Sequence, residues 1–189
     1  MNNKFDNNLN PYKSIFFKLV PYIFYFIIFS FIGWVIETIY CSTAAGIFIK
    51  RGFLNSPICP IYGSGALILT LYLDKIKKQP NYIKIFFLFI IVFSFFEYLV
   101  GFTLDALFAA RWWDYSSKAF NINGRITLLN SFFWGIMTIL FTKFIYPLIN
   151  KTKKFIEEKI SKQNQFLITS ILISWILIDF VISCINYLN

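Results

Sequence analysis

Histidine is absent from the 189 residues. Its absence removes the commonest general base, metal ligand and proton switch near neutral pH. Charge is scarce too: 14% of residues are charged, against 58% hydrophobic and 22% aromatic. A soluble domain of this length covers itself with more polar surface than that, so a soluble enzyme is excluded. The three cysteines, Cys41, Cys59 and Cys184, match no zinc or redox spacing. Cys41 and Cys184 fall in apolar runs and read as small core residues. No GxxxxGK(S/T) phosphate loop occurs, so the chain does not hydrolyse ATP by that device. Catalysis would have to run on carboxylates, Tyr, Lys or Cys59, and Cys59 lacks the histidine that usually activates a thiol. No catalytic residue, metal ligand or cofactor is assigned.

What is present is a series of apolar runs. Residues Met1 to Lys18 are polar, Asn-rich and basic, and form a cytoplasmic lead-in. Leu19 to Tyr40 is long enough to cross a bilayer, which takes about 20 residues. It exceeds a signal-peptide core of roughly 7 to 15 residues and is read as an uncleaved anchor. Arg51 to Gly65 (RGFLNSPICPIYGSG) carries two prolines and three glycines and cannot be a regular helix. The second crossing is entered through it, near Ile58, and ends by Leu73. Ile83 to Leu104, Ile126 to Ile149 and Phe166 to Leu188 supply three more crossings. The expectation is an all-α, polytopic membrane helix bundle of about five transmembrane helices. Its organisation is a lead-in (1–18), a four-helix core with outer polar loops (19–149), a charged linker (150–165) and a fifth helix (166–189).

The charges divide along this frame. With five crossings, one side holds Lys4, Lys13, Lys18, Lys75, Lys77, Lys78, Lys84, Lys143, Lys151, Lys153, Lys154, Lys159 and Lys162, thirteen lysines against four acids. The other side holds Lys50, Arg51, Arg111, Lys118 and Arg125 against Glu37, Glu97, Asp105, Asp114 and Asp179, five cations matched by five acids. Lysine excess marks the cytoplasmic side, so the N-terminus is expected inside and the C-terminus outside. The net charge of +9 is thus topological and faces anionic inner-leaflet lipid. Nucleic acid is not an expected partner.

The outer set carries the chemistry. A charge at bilayer depth costs roughly 2.5 to 3.5 kcal/mol, so Glu37 and Glu97 should face the bundle interior. Glu97, Gly101 and Asp105 share one helix face at i, i+4, i+8, as do Gly33, Glu37 and Cys41. Arg51, Arg111 and Arg125 are their expected partners, since guanidinium forks stay charged when partly buried. A pairing of Glu97 with Arg125 is one guess among these. The candidate substrate-binding set is Glu37, Arg51, Tyr62, Glu97, Trp113, Asp114, Asn123 and Arg125. Two readings stay open: a ligand site, or a buried network that only fixes helix register. Aromatics such as Tyr62, Tyr98, Trp112, Trp113 and Tyr115 also suit an interfacial belt. Asp179 in the fifth helix, with Trp175 and Ser183 on its face, has no assigned partner.

Five stretches together resemble one bacterial family: GWVIET (Gly33 to Thr38), RGFLNSPICPIYGSG, FEYLVGF (Phe96 to Phe102), RWWDYS (Arg111 to Ser116) and FNINGRITLLNSFFWG (Phe120 to Gly135). It is the ABC-transporter type IV family of CmpB-like permeases. The resemblance covers roughly Phe31 to Gly135 and implies a multi-pass permease of the bacterial cytoplasmic membrane. It brings no substrate and no catalytic residues. An ABC-type role would need a separate ATPase subunit docked on the cytoplasmic loops. Five crossings are few for a lone alternating-access transporter, so a homo-oligomer or partner is expected. Ranked below transport are a membrane-embedded enzyme acting on lipid or cell-envelope precursors, with Glu37, Glu97 and Asp114 as acid–base groups, and a structural or sensor protein.

Overall fold

The computed structural model describes residues 11–76 and 79–188. Residues 1–10 of the expected lead-in, Lys77 and Lys78 of the lysine-rich side, and Asn189 lie outside the described residues. Among the described residues there are six α-helical segments: α1 (Pro11–Ala45), α2 (Pro60–Lys75), α3 (Tyr82–Phe108), α4 (Leu128–Leu140), α5 (Tyr146–Lys159) and α6 (Lys162–Leu188). A π-helical turn, Phe141–Ile145, joins α4 to α5, so Leu128–Lys159 forms one continuous helix and the bundle has five rods. Four of them are long and apolar enough to cross a membrane. The exception is α2, whose 16 residues reach about 24 Å against an apolar core of roughly 30 Å. The chain is an all-α membrane helix bundle.

Local chemistry sets the helix ends. Pro60 opens α2 at a position where its missing N–H costs nothing. The Asn81 side chain accepts from the Lys84 N–H at 3.0 Å and starts α3, and Thr127 does the same for Asn130 at 3.1 Å and starts α4. Ala109, with φ 49°, closes α3 in the left-handed region. Between α3 and α4 lies a short antiparallel hairpin, β1 (Asn121–Ile122) and β2 (Ile126–Thr127). Asn123 (φ 52°) and Gly124 (φ 67°) turn it, and the Arg125 N–H closes the turn on the Ile122 carbonyl at 3.0 Å. Helical structure reaches beyond the apolar runs at two charged stretches. Helix α1 starts at Pro11, ahead of the apolar run at Leu19. The stretch from Lys151 is helical through Lys159 and extends the fourth rod.

Burial is inverted relative to a soluble bundle. Ile91, Phe95 and Phe87 stand 61–70% exposed on α3, while Ser30, Thr70, Thr138 and Thr169 are at most 1% exposed. Lipid tails are as apolar as Leu, so helices associate through small residues and side-chain hydrogen bonds. Gly63 on α2 lies against the Ser30 side chain and the Phe26 carbonyl of α1 with no space for a Cβ, and Gly33 of α1 is similarly covered by the Tyr62 ring. The α3–α4 contact carries a Ser94–Ser131 hydrogen bond of 2.6 Å. A compact apolar cluster of Leu69, Leu73, Ile85, Phe89 and Phe93 fills the space between α2 and α3.

The two ends of the bundle differ. One end gathers residues 46–59, residues 109–127 and the C-terminal turn of α6, and all three arginines are there. At the other end Asp74 accepts hydrogen bonds from Tyr22 (2.5 Å), Tyr146 (2.7 Å) and Lys153 (3.2 Å), tying α2 to α1 and α5. The Tyr25 hydroxyl donates to the Ile149 carbonyl at 2.8 Å and reinforces the same joint. Gly63→Leu should force α1 and α2 apart and lower stability by about 1–3 kcal/mol, read as a lower thermal midpoint in detergent. Gly46→Ala, where nothing lies within 4 Å of the missing Cβ, should cost less through its positive φ alone.

Candidate functional site

The arginine end is assembled from three connected groups. The first centres on Glu37, one turn beyond Gly33 on α1. Because Gly33 has no side chain, Tyr62 lies flat on α1 and its hydroxyl donates to Glu37 Oε1 at 2.8 Å. Arg51 donates from Nε to Glu37 Oε2 at 3.2 Å and from a terminal nitrogen to the Trp112 carbonyl at 2.6 Å. Arg51 therefore neutralises Glu37 and pins the 109–127 loop onto the 46–59 segment.

The second group centres on Glu97, which is 6% exposed on α3. The Trp134 indole N–H donates to its Oε2 at 2.9 Å and the Tyr115 hydroxyl to its Oε1 at 3.3 Å. Both donors are neutral. Among the described residues no cation pairs with Glu97. The Trp134 ring lies 5.9 Å from that of Tyr62 and 5.7 Å from that of Phe93, so the first two groups share an aromatic wall. Burial, with the Glu97 carboxylate beside it, pushes the Tyr115 phenol above its usual range near 10, so it remains a donor at neutral pH.

The third group is ionic. Arg125 pairs with Asp105, and Arg111 bridges Asp105 and Asp114 at 3.5 Å each. The Arg125 guanidinium also sits 5.6 Å from the ring centres of Tyr98 and Phe102. Its carbonyl accepts the Trp113 indole N–H at 2.9 Å, and Trp113 packs where Gly101 leaves space on α3. Asn123 donates to the Tyr98 hydroxyl at 2.9 Å. A Cβ on Gly124 would overlap Ser116 and Asp114, so the hairpin turn is seated directly on the loop below it.

All eight residues singled out in the sequence thus lie at this end, in three contact groups. Glu37, Arg51 and Tyr62 meet directly; Trp113, Asp114, Asn123 and Arg125 belong to the ionic loop; Glu97 stands between them. The guessed Glu97–Arg125 pair does not form. Asp105 lies eight residues further along α3, about 12 Å nearer the loop, and takes Arg125. Trp134 and Asp105 were not in the candidate set, although the Glu97–Gly101–Asp105 face pointed to the latter. The Asn-Gly dipeptide at 123–124 was an unused hairpin signal.

Asp179 also finds its partners. Its two oxygens accept the backbone N–H groups of Asn55 (3.1 Å) and Ser56 (2.9 Å), and Ser183 Oγ accepts from the Asn55 amide and side chain. Phe53 beside them sits within 5.2–5.8 Å, ring centre to ring centre, of Phe108, Trp112, Phe180 and Tyr187. Cys59 is buried at the start of α2. Among the described residues no group of His, Cys, Asp and Glu is arranged to hold a metal ion.

The match to known proteins spans most of this architecture. The family described as "Putative ABC-transporter type IV" matches residues 24–184, from α1 to the last turns of α6. The chain belongs to the ABC-transporter type IV family. The match extends well beyond the Phe31 to Gly135 motifs and takes in the Asp179 helix. No curated protein and no solved structure matches the chain.

Two outcomes are expected. Asp179→Asn leaves one strong acceptor for two amides, so hydrogen exchange at Asn55 and Ser56 should accelerate about tenfold or more. Asp114 is held below the ordinary carboxylate range by the hydroxyl and backbone N–H of Ser116 and by Arg111. A depressed folded pKa means its contribution is complete above the unfolded value of about 3.9 and is lost as pH falls through the lower folded value. Trp113 fluorescence should therefore stay constant from neutral pH to about pH 4 and change only below it. In Asp114→Asn that acid-dependent change should be reduced.

Proposed function

We propose that this chain is the membrane component of a transporter, with the arginine end outward and the Glu37, Arg51, Tyr62, Glu97, Trp113, Asp114, Asn123 and Arg125 set in contact with its ligand. The orientation rests on the lysine excess at the opposite end, which favours the cytoplasmic side. The observation that carries the site is Glu97: a buried carboxylate at bilayer depth with neutral donors on both oxygens. Such a group inside a membrane span is costly and is retained where a ligand or ion pathway uses it. The other acids of this cluster have arginine partners, so Glu97 is the one that a positively charged part of a ligand would meet. Arg125, Arg111 and Asp105 hold the loop that carries Tyr115 and so shape access from outside.

The family name adds energy coupling by a separate ATPase, because the chain has no phosphate loop of its own. The lysine end, where α4 and α5 extend as one helix to Lys159, is the surface for that subunit. Purification of the tagged chain in mild detergent should bring down an ATP-hydrolysing partner, and Glu97→Gln should lower ligand-stimulated ATP turnover by about tenfold while leaving the partner bound. Absence of any such partner, together with unchanged solute uptake after deletion of the chain, would remove the transporter reading.

A further inference from the structure

An apolar groove of about 330 Å³ runs along the outside of the bundle where α1, α2 and α6 meet. Its walls are Leu19, Tyr22 and Phe26 of α1, Leu67 and Leu71 of α2, and Ile173 of α6. On α1 these residues follow i, i+3, i+7, and on α2 i, i+4, so each helix gives one continuous face to the groove. Toward the lysine end each of the three helices carries a lysine. Lys18 lies one turn before Tyr22, Lys75 one turn after Leu71, and Lys162 about three turns before Ile173. All three are exposed. Lys162 lies 4.9 Å from the Phe17 ring centre, and Phe16 packs on Phe166 with ring centres 5.5 Å apart, so the start of α6 meets α1 within two residues of Lys18. Tyr22, at the mouth, bonds Asp74 next to Lys75. The charge of Asp74 is already met by Lys153 at 3.2 Å, with the Tyr22 and Tyr146 hydroxyls on its two oxygens.

We propose that the groove binds one anionic phospholipid of the bilayer leaflet at the lysine end, with an acyl chain along the groove and the phosphate among Lys18, Lys75 and Lys162. An apolar channel open to the hydrocarbon and closed by cations at the headgroup level matches both halves of such a molecule. A neutral lipid matches the channel only. A second copy of the chain would bring its own lysine excess to the same mouth and be repelled there.

The test uses the full chain in nanodiscs of phosphatidylcholine and phosphatidylglycerol, with retained lipid counted by native mass spectrometry. The wild-type chain should retain phosphatidylglycerol over phosphatidylcholine by about tenfold to a hundredfold, as about three lysine contacts imply. The triple variant Lys18→Gln, Lys75→Gln, Lys162→Gln should lose that preference, and Lys154→Gln with Lys159→Gln should keep it. Leu67→Trp with Ile173→Trp, which fills the groove, should reduce retention of both lipids at unchanged thermal midpoint; a lowered midpoint passes the groove test to Leu71→Phe alone, with the same reduction expected. A triple variant with the wild-type preference would overturn the site. So would undiminished lipid retention in a filled groove, or cross-linking of two chains through Leu67→Cys and Ile173→Cys in the bilayer.

Discussion

The amides of Asn55 and Ser56 belong to no helix, and a bare amide beside apolar spans costs several kcal/mol. Asp179 of α6 meets both of them with one carboxylate. The rest of the arginine end follows from that contact. It fastens the irregular segment to the last helix of the chain, and the Cys59 N–H fastens the same segment to the Ser30 carbonyl of the first at 2.9 Å. Just ahead of those two anchors Arg51 reaches both Glu37 and the Trp112 carbonyl. Phe53 is driven into a ring of aromatics from α3, the loop and α6. A Pro- and Gly-rich stretch thereby becomes a fixed wall of the site, with its polar backbone groups matched by partners distant in sequence.

Arginine and lysine do separate work in this bundle. The arginines bind carboxylates or carbonyls with planar, multi-donor heads and lock loops that must hold a shape. Among the described residues Lys75, Lys153 and Lys162 lie at the opposite end, where hydrated point charges suit a headgroup surface. Lys153 is a lysine used in the arginine manner, since it pairs with Asp74 and lies 4.6 Å from the Tyr22 ring centre. That joint holds α5 on α1 and α2 at the end of the bundle away from the arginines. Glu97 sits near the outer part of the same framework, joined through Trp134 to α4 at the far end of the fourth rod. A ligand that altered the hydrogen bonds of Glu97 would act directly on the helix that extends to Lys159.

Membrane class and helix number came from composition and run length, because hydrophobic length is a local property that a bilayer reads directly. The helix faces were legible too: Gly33–Glu37 and Glu97–Gly101–Asp105 follow from the 3.6-residue turn alone. The motifs carried the family. Charged helix extensions were less legible, since α1 before Leu19 and α5 after Lys151 are held by contacts such as Phe16 to Phe166 and Lys153 to Asp74 rather than by apolar length.

Partner choice lay beyond the one-dimensional pattern. Sequence alone named the acids and arginines but could not decide that Arg125 takes Asp105, that Arg51 takes Glu37, or that Glu97 is left with an indole and a phenol. Those choices depend on how far along each helix a side chain sits relative to loops that start elsewhere, a three-dimensional distance that spacing does not encode. Asp179 is the clearest instance: its partners lie more than 120 positions earlier in the chain, and only the packing of α6 against the 46–59 segment brings them within reach. The sequence determined which groups must be buried and on which helix face; the tertiary structure decided which of them neutralise one another, because that is fixed by the long-range approach of helices and loops.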